Sequence, residues 1–82
     1  MKSKKLLEKV LRNPYDVRFS EMNKLLEAFG FMLKRIEGSH HIYKHLSVPY
    51  LINIQNRKGK VKPYQVSQFI NIINEFNLRL ER

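Results

Sequence analysis

Residues 28–45 read AFGFMLKRIEGSHHIYKH, and a change of period inside this stretch decides the fold. Up to Phe29 the apolar residues recur at helical spacing, with Met22, Leu25, Leu26 and Phe29 on one stripe. Gly30 stops that helix, because glycine enters the left-handed conformation of the C′ position without a Cβ penalty. Beyond it, residues 31–37 (FMLKRIE) and 40–46 (HHIYKHL) are rich in apolar and aromatic side chains, and the helical spacing is gone. Glu37-Gly38-Ser39 separates the two runs, which therefore read as a β-hairpin with a short glycine-containing loop.

Towards the N-terminus, Ser3 is the expected cap of a first helix with Leu6, Leu7, Val10 and Leu11 on one face. Pro14 ends it, since the residue before a proline is pushed out of the helical region. Residues 12–19 (RNPYDVRF) form a connecting loop. Ser20 is the expected N-cap of the second helix, with Glu21 in the first turn, where the macrodipole favours an anion. Towards the C-terminus, Ser47-Val48-Pro49 breaks the chain. Residues 50–55 (YLINIQ) then form a third strand in which Leu51 alternates against Ile52 and Ile54. A charged loop, NRKGK, leads to Pro63, which suits the first turn of a final helix. Val66, Phe69, Ile70, Ile73 and Phe76 supply its apolar stripe. The order α-α-β-β-β-α predicts an α+β domain: a three-stranded antiparallel sheet with helices on one face.

A chain of 82 residues makes one domain, 1–82, with a modest core and two layers. It has no cysteine, which excludes disulfides and thiol-based metal or redox chemistry. The first residues, MKSKKLLEKVLRN, lack the continuous apolar stretch of a signal peptide, and nothing later could span a membrane. The cytoplasm is the expected location. Sixteen Lys and Arg against seven Asp and Glu give a formal charge of +9, a field that attracts polyanions. Nucleic acid is the first candidate partner and an acidic protein the second. An anionic membrane surface would favour basic and apolar residues segregated along one helix, whereas here the basic residues are spread along the chain.

All three histidines fall between positions 40 and 45. On a strand, His41 and His45 share a face but stand roughly 13 Å apart, and His40 points the opposite way from His41. Zinc holds each ligand nitrogen at about 2.0–2.1 Å, so no pair in this trio can chelate one ion. No metal site is expected. Ser39 has no G-x-S-x-G context and reads as a turn residue rather than a nucleophile. General acid–base chemistry on a polyanion is left beside the plainer reading of a solvated strand-start histidine. RNA carries its own nucleophile, the 2′-hydroxyl, and an imidazole can both take and give protons near neutrality. His40 follows a Gly-Ser turn where backbone can approach a ligand, and Lys34, Arg35 and Lys44 lie on the same hairpin.

The stretch AFGFMLKRIEGSHHIYKH resembles the signature of the HicA toxin family: a helix ending in Gly-Phe, a strand, Gly-Ser-His, and a second strand with an aromatic. KVKPYQVSQFINIINEF is similar to the closing helix of a longer HicA-like branch, which also carries an additional N-terminal helix, here 1–13. The resemblance implies a fold like that of double-stranded-RNA-binding domains, with the helices on one face of the sheet. It also implies an mRNA interferase of a type II toxin–antitoxin system, a cytoplasmic RNA endonuclease needing no metal or cofactor and neutralised by a HicB-type antitoxin. The catalytic histidine of such a site follows the Gly-Ser pair, which is His40. Gly38, Ser39, Lys34, Arg35 and Lys44, with Lys58, Lys60 and Lys62 from the charged loop, are the expected RNA contacts. An antitoxin covering that side is expected to be acidic. The alternative is a non-catalytic RNA-binding module of the same fold. A duplex reader generally uses basic residues at its final helix, and residues 64–77 contain no Lys or Arg. A third reading is a degenerate member that retains only antitoxin or operator binding.

Overall fold

The computed structural model describes residues 2–81. Six elements follow in the expected order: α1 (Lys2–Arg12), α2 (Phe19–Ala28), β1 (Met32–Glu37), β2 (His40–His45), β3 (Val48–Gln55) and α3 (Pro63–Glu75). The strands form one antiparallel sheet ordered β1-β2-β3, so the strand carrying all three histidines is central. Among the described residues no helix is long and apolar enough to cross a membrane.

Two expected caps are corrected. Ser3 lies inside α1, which already starts at Lys2. Ser20 lies inside α2, whose cap is the extended Arg18. Its work falls to Glu21, whose carboxylate reaches back to accept the Arg18 N–H at 3.0 Å, while the Phe19 N–H is taken by the Gly59 carbonyl at 2.9 Å. Glu21 also accepts from Lys9, tying α1 to α2. Partial burial alone would raise the Glu21 pKa. The bonds from Lys9 and the Arg18 N–H outweigh it and hold the carboxyl below its ordinary range.

At the other end of α2, Gly30 adopts φ +91°. The Gly30 N–H then bonds the Glu27 carbonyl at 3.0 Å, and the Phe31 N–H bonds that of Leu26 at 2.9 Å. This is the Schellman arrangement, and it turns the chain from the helix into β1 with Phe31 buried. Helix α3 ends by the same device with Asn77 at φ +51° and a 2.9 Å bond from the Leu78 N–H to Ile73. Strand β3 begins two residues earlier than expected and runs through Pro49. That is tolerated because β3 is an edge strand, where a missing N–H costs no ladder bond.

The core joins one sheet face to the helices. Val10, Met22, Leu25, Leu26 and Phe29 meet Tyr43, Ile52 and Ile54 from the sheet and Val66, Phe69, Ile72 and Ile73 from α3. Ile72 is an addition to the expected stripe, whereas Leu11 is largely exposed. Burial pushes the Tyr43 phenol up, and its hydroxyl donates to Asn23. All six residues of β1 are exposed, including Met32, Leu33 and Ile36.

Gln65 is buried in the first turn of α3, and its Oε1 accepts the Gln55 N–H at 3.0 Å. This bond supplies an acceptor to the outer edge of β3 and docks the helix start there. Replacing Gln65 by Leu strands that N–H, and we expect a loss of about 1–3 kcal/mol. Urea unfolding followed by circular dichroism measures it; an unchanged midpoint would show that the bond contributes nothing net.

Candidate functional site

Glu37 and His40 face each other across the β1–β2 pair, so Gly38 and Ser39 form a two-residue hairpin turn. Only its first residue has positive φ, Gly38 at +62°, which matches the II′ pattern that suits strand twist. A Cβ at Gly38 would meet nothing within 4 Å, so the demand for glycine there is conformational rather than steric. This turn fixes the register, and the register sorts the histidines. His41 pairs with the core residue Ile54 and packs edge-on against Phe19, with ring centroids 4.6 Å apart. His45 also faces the helices, against Phe31. His40 lies on the opposite, open face.

His40 is half-buried at the start of β2, between Glu37 on one side and Gln55 on the other. Its Nδ1 lies 3.1 Å from the Asn53 Oδ1. Ser39 contributes its carbonyl, which accepts the Asn56 N–H at 3.0 Å and thereby ties the turn to the start of the basic loop. That loop is itself a tight turn: Arg57 and Lys60 exchange backbone bonds of 2.9 and 3.0 Å across Lys58 and Gly59, at φ +52° and +83°. Arg18 pairs with Lys60 as an isolated bridge. The fold therefore gathers His40, the Gly-Ser turn, and the Arg57–Lys60 loop at one end of the sheet.

The other expected basic contacts are distributed differently. Arg35 shares the open face with His40, but its Nε is bound to Glu37 at 2.5 Å. Lys34 sits at the β-bulge between Leu33 and Arg35. Lys44 pairs with Met32 at the far end of the hairpin, roughly 13 Å along the strand from His40. Lys58 is exposed at the apex of its turn. Lys60 is held by Asp16 at 2.6 Å, and its ammonium keeps the Asp16 carboxyl below the usual range. Lys62 caps α3 and is half-buried. Lys60 and Lys62, with Tyr15, Arg57, Val61 and Pro63, line a cleft of about 230 Å³.

Three residues at this end escaped the sequence reading: Asn53, Arg57 and Arg18. Asn53 did carry a signal, since asparagine is depleted in strands and here interrupts an apolar run. Arg57 stood beside the lysines of its loop, and its nearness to His40 follows only from the Asn56–Ser39 bond. Arg18 arrives through pairing between residues more than forty positions apart.

A family model described as HicA toxin of bacterial toxin-antitoxin matches residues 19–74, from the first residue of α2 almost to the end of α3. Helix α1 lies outside the matched region. Among curated proteins and solved structures, nothing matches the chain significantly.

His45 has a structural task. Its Nε2 donates to the Phe29 carbonyl at 3.0 Å while its Nδ1 accepts the Ser47 N–H at 3.0 Å. The ring therefore clamps the end of α2 to the β2–β3 turn. His45→Ala leaves both backbone groups without that partner, and we expect about 1–3 kcal/mol of lost stability by urea unfolding. An unaltered midpoint would rule out the clamp.

Proposed function

The chain belongs to the HicA toxin family, and from that premise we propose that it is a metal-independent RNA endonuclease in which His40 is the general acid/base. HicA toxins are ribonucleases of toxin–antitoxin systems, so RNA is the substrate and a HicB antitoxin the partner. The observation that carries the assignment is facial: of the three histidines, His40 alone lies on the sheet face away from the helices, beside the Gly-Ser turn.

The chemistry requires little else. The 2′-hydroxyl oxygen attacks the adjacent phosphorus as His40 Nε2 takes its proton. The bond from phosphorus to the 5′-oxygen breaks, and the leaving oxygen takes the proton from the His40 imidazolium, which returns to its neutral form. The products are a 2′,3′-cyclic phosphate and a free 5′-hydroxyl. Cations nearby stabilise the extra charge on the phosphorane. Arg57 and Lys58 are well placed to serve the strand as it leaves the turn, and the Tyr15 cleft extends that path with an exposed aromatic ring on which a base can stack. Lys60 and Arg35, each already paired, add to the field more than to direct contact. The reading as a duplex-binding module is weaker, because the exposed face of α3 offers no Lys or Arg from 64 to 77.

An antitoxin that covers His40 must meet this cationic end, so we expect it to present an acidic surface. Hydrogen exchange on the complex should then show protection at residues 38–45 and 56–60. Exchange unchanged there would place the antitoxin elsewhere.

His40→Ala should lower RNA cleavage by about 100-fold or more, the usual span for losing a positioned acid–base group. Thermal unfolding should be little altered, because His40 faces away from the core. Equal cleavage by both proteins would remove His40 from the chemistry.

A further inference from the structure

We infer that Asn53 is the positioning residue for His40, holding the imidazole in the tautomer whose Nε2 is free to exchange a proton. The inference rests on the catalytic reading of His40 given above. Asn53 pairs with Ile42 and His40 pairs with Gln55, so Asn53 and His40 are diagonal neighbours on adjacent strands. Alternation puts both side chains on the open face, and diagonal neighbours are within reach of one another. The observed Nδ1 to Oδ1 separation of 3.1 Å is a hydrogen bond in length.

The chemistry of the two atoms sets its direction. An amide oxygen only accepts, so the proton of this bond is on the ring nitrogen. A neutral imidazole has one N–H, and placing it on Nδ1 leaves the lone pair on Nε2. An unconstrained histidine in water prefers the opposite tautomer, with Nε2 protonated and unable to act as a base. Asn53 reverses that preference. When Nε2 accepts a proton, Nδ1 keeps its own and the bond to Oδ1 persists. The ring is thus held in one orientation through both halves of the cycle, and a single nitrogen exchanges the proton.

The surrounding groups leave this assignment to Asn53. Glu37, opposite His40 on β1, is a stronger acceptor in principle, but its carboxylate is engaged by the Arg35 Nε. Both residues of the pair are on hydrogen-bonded strands, which fixes their separation more tightly than a loop would. The pairing has the logic of a histidine–asparagine couple: the second residue touches no reacting atom and acts through the ring.

The test uses the full chain labelled with 15N. Long-range proton–nitrogen spectra at about pH 8, above the ordinary imidazole range, report which ring nitrogen of His40 bears the proton. Wild type should show Nδ1–H. Asn53→Ala should shift the population towards Nε2–H, and Asn53→Asp, which keeps an acceptor oxygen in place, should retain Nδ1–H. In cleavage assays Asn53→Ala should reduce kcat about tenfold or more with a much smaller change in KM, and Asn53→Asp should recover most of the loss. An Nε2–H tautomer in the wild type, or an Nδ1–H population indifferent to Asn53→Ala, overturns the inference. If instead His40→Ala cleaves normally while the tautomer follows residue 53, the catalytic reading fails and the pairing survives. Preserved chemical-shift dispersion in each variant confirms that it remains folded.

Discussion

The register of the β1–β2 hairpin is the constraint on which the remaining geometry depends. A two-residue turn leaves no slack between Glu37 and His40, and side chains on a strand alternate faces with a period of two. A slip of one residue would bury His40 against Phe19 and carry His41 to the open side. It would also expel Tyr43 from the core, where it packs beside Ile52 and bonds Asn23. The hydrophobic effect acting on Tyr43 therefore enforces the position of a polar residue three places earlier. Packing of the core and presentation of the site are one specification.

Much of this was readable in the chain because it is local. The stop at Gly30, the hairpin about Gly38-Ser39 and the proline at the start of α3 each depend on the backbone freedom or restriction of one residue. The element order and the opposite facing of His40 and His41 follow from them. The cap of α2 was misread for the same reason in reverse. Ser20 has the right chemistry for a cap, but long-range pairing of Phe19 with Gly59 started the helix one residue before it. Local propensity yields to a tertiary bond of that kind. The gathering of Arg57 and Arg18 beside the turn was likewise invisible, being set by contacts between distant segments. Lys44, on the same strand as His40, lies at the other end of the hairpin, because each strand residue advances the chain.

Charge, too, acquires structure once the pairs are known. The net +9 describes the field at a distance, which steers a polyanion towards the molecule. Close at hand the cations differ. Lys60 is occupied by Asp16 and Arg35 by Glu37, and both pairs are exposed, so each contributes little to stability. Among the described residues, these pairs leave Arg57 and Lys58 without a salt-bridge partner at the end of the sheet. Long-range attraction therefore draws on all of these cations, whereas the paired ones are already engaged at close range.

Among the described residues, strand β1 is unpaired along its outer edge, and Met32, Leu33 and Ile36 are about half exposed. Such an edge is a template on which a second copy could add its own strand and begin an aggregate. Lys34 and Arg35 interrupt the apolar run at its centre, and the bulge at Lys34 bends the edge away from straight pairing. The positive charge that attracts polyanions also acts between identical molecules, where it is repulsive. Solubility of the free protein and its attraction to polyanions therefore share one origin, and screening by salt weakens both together.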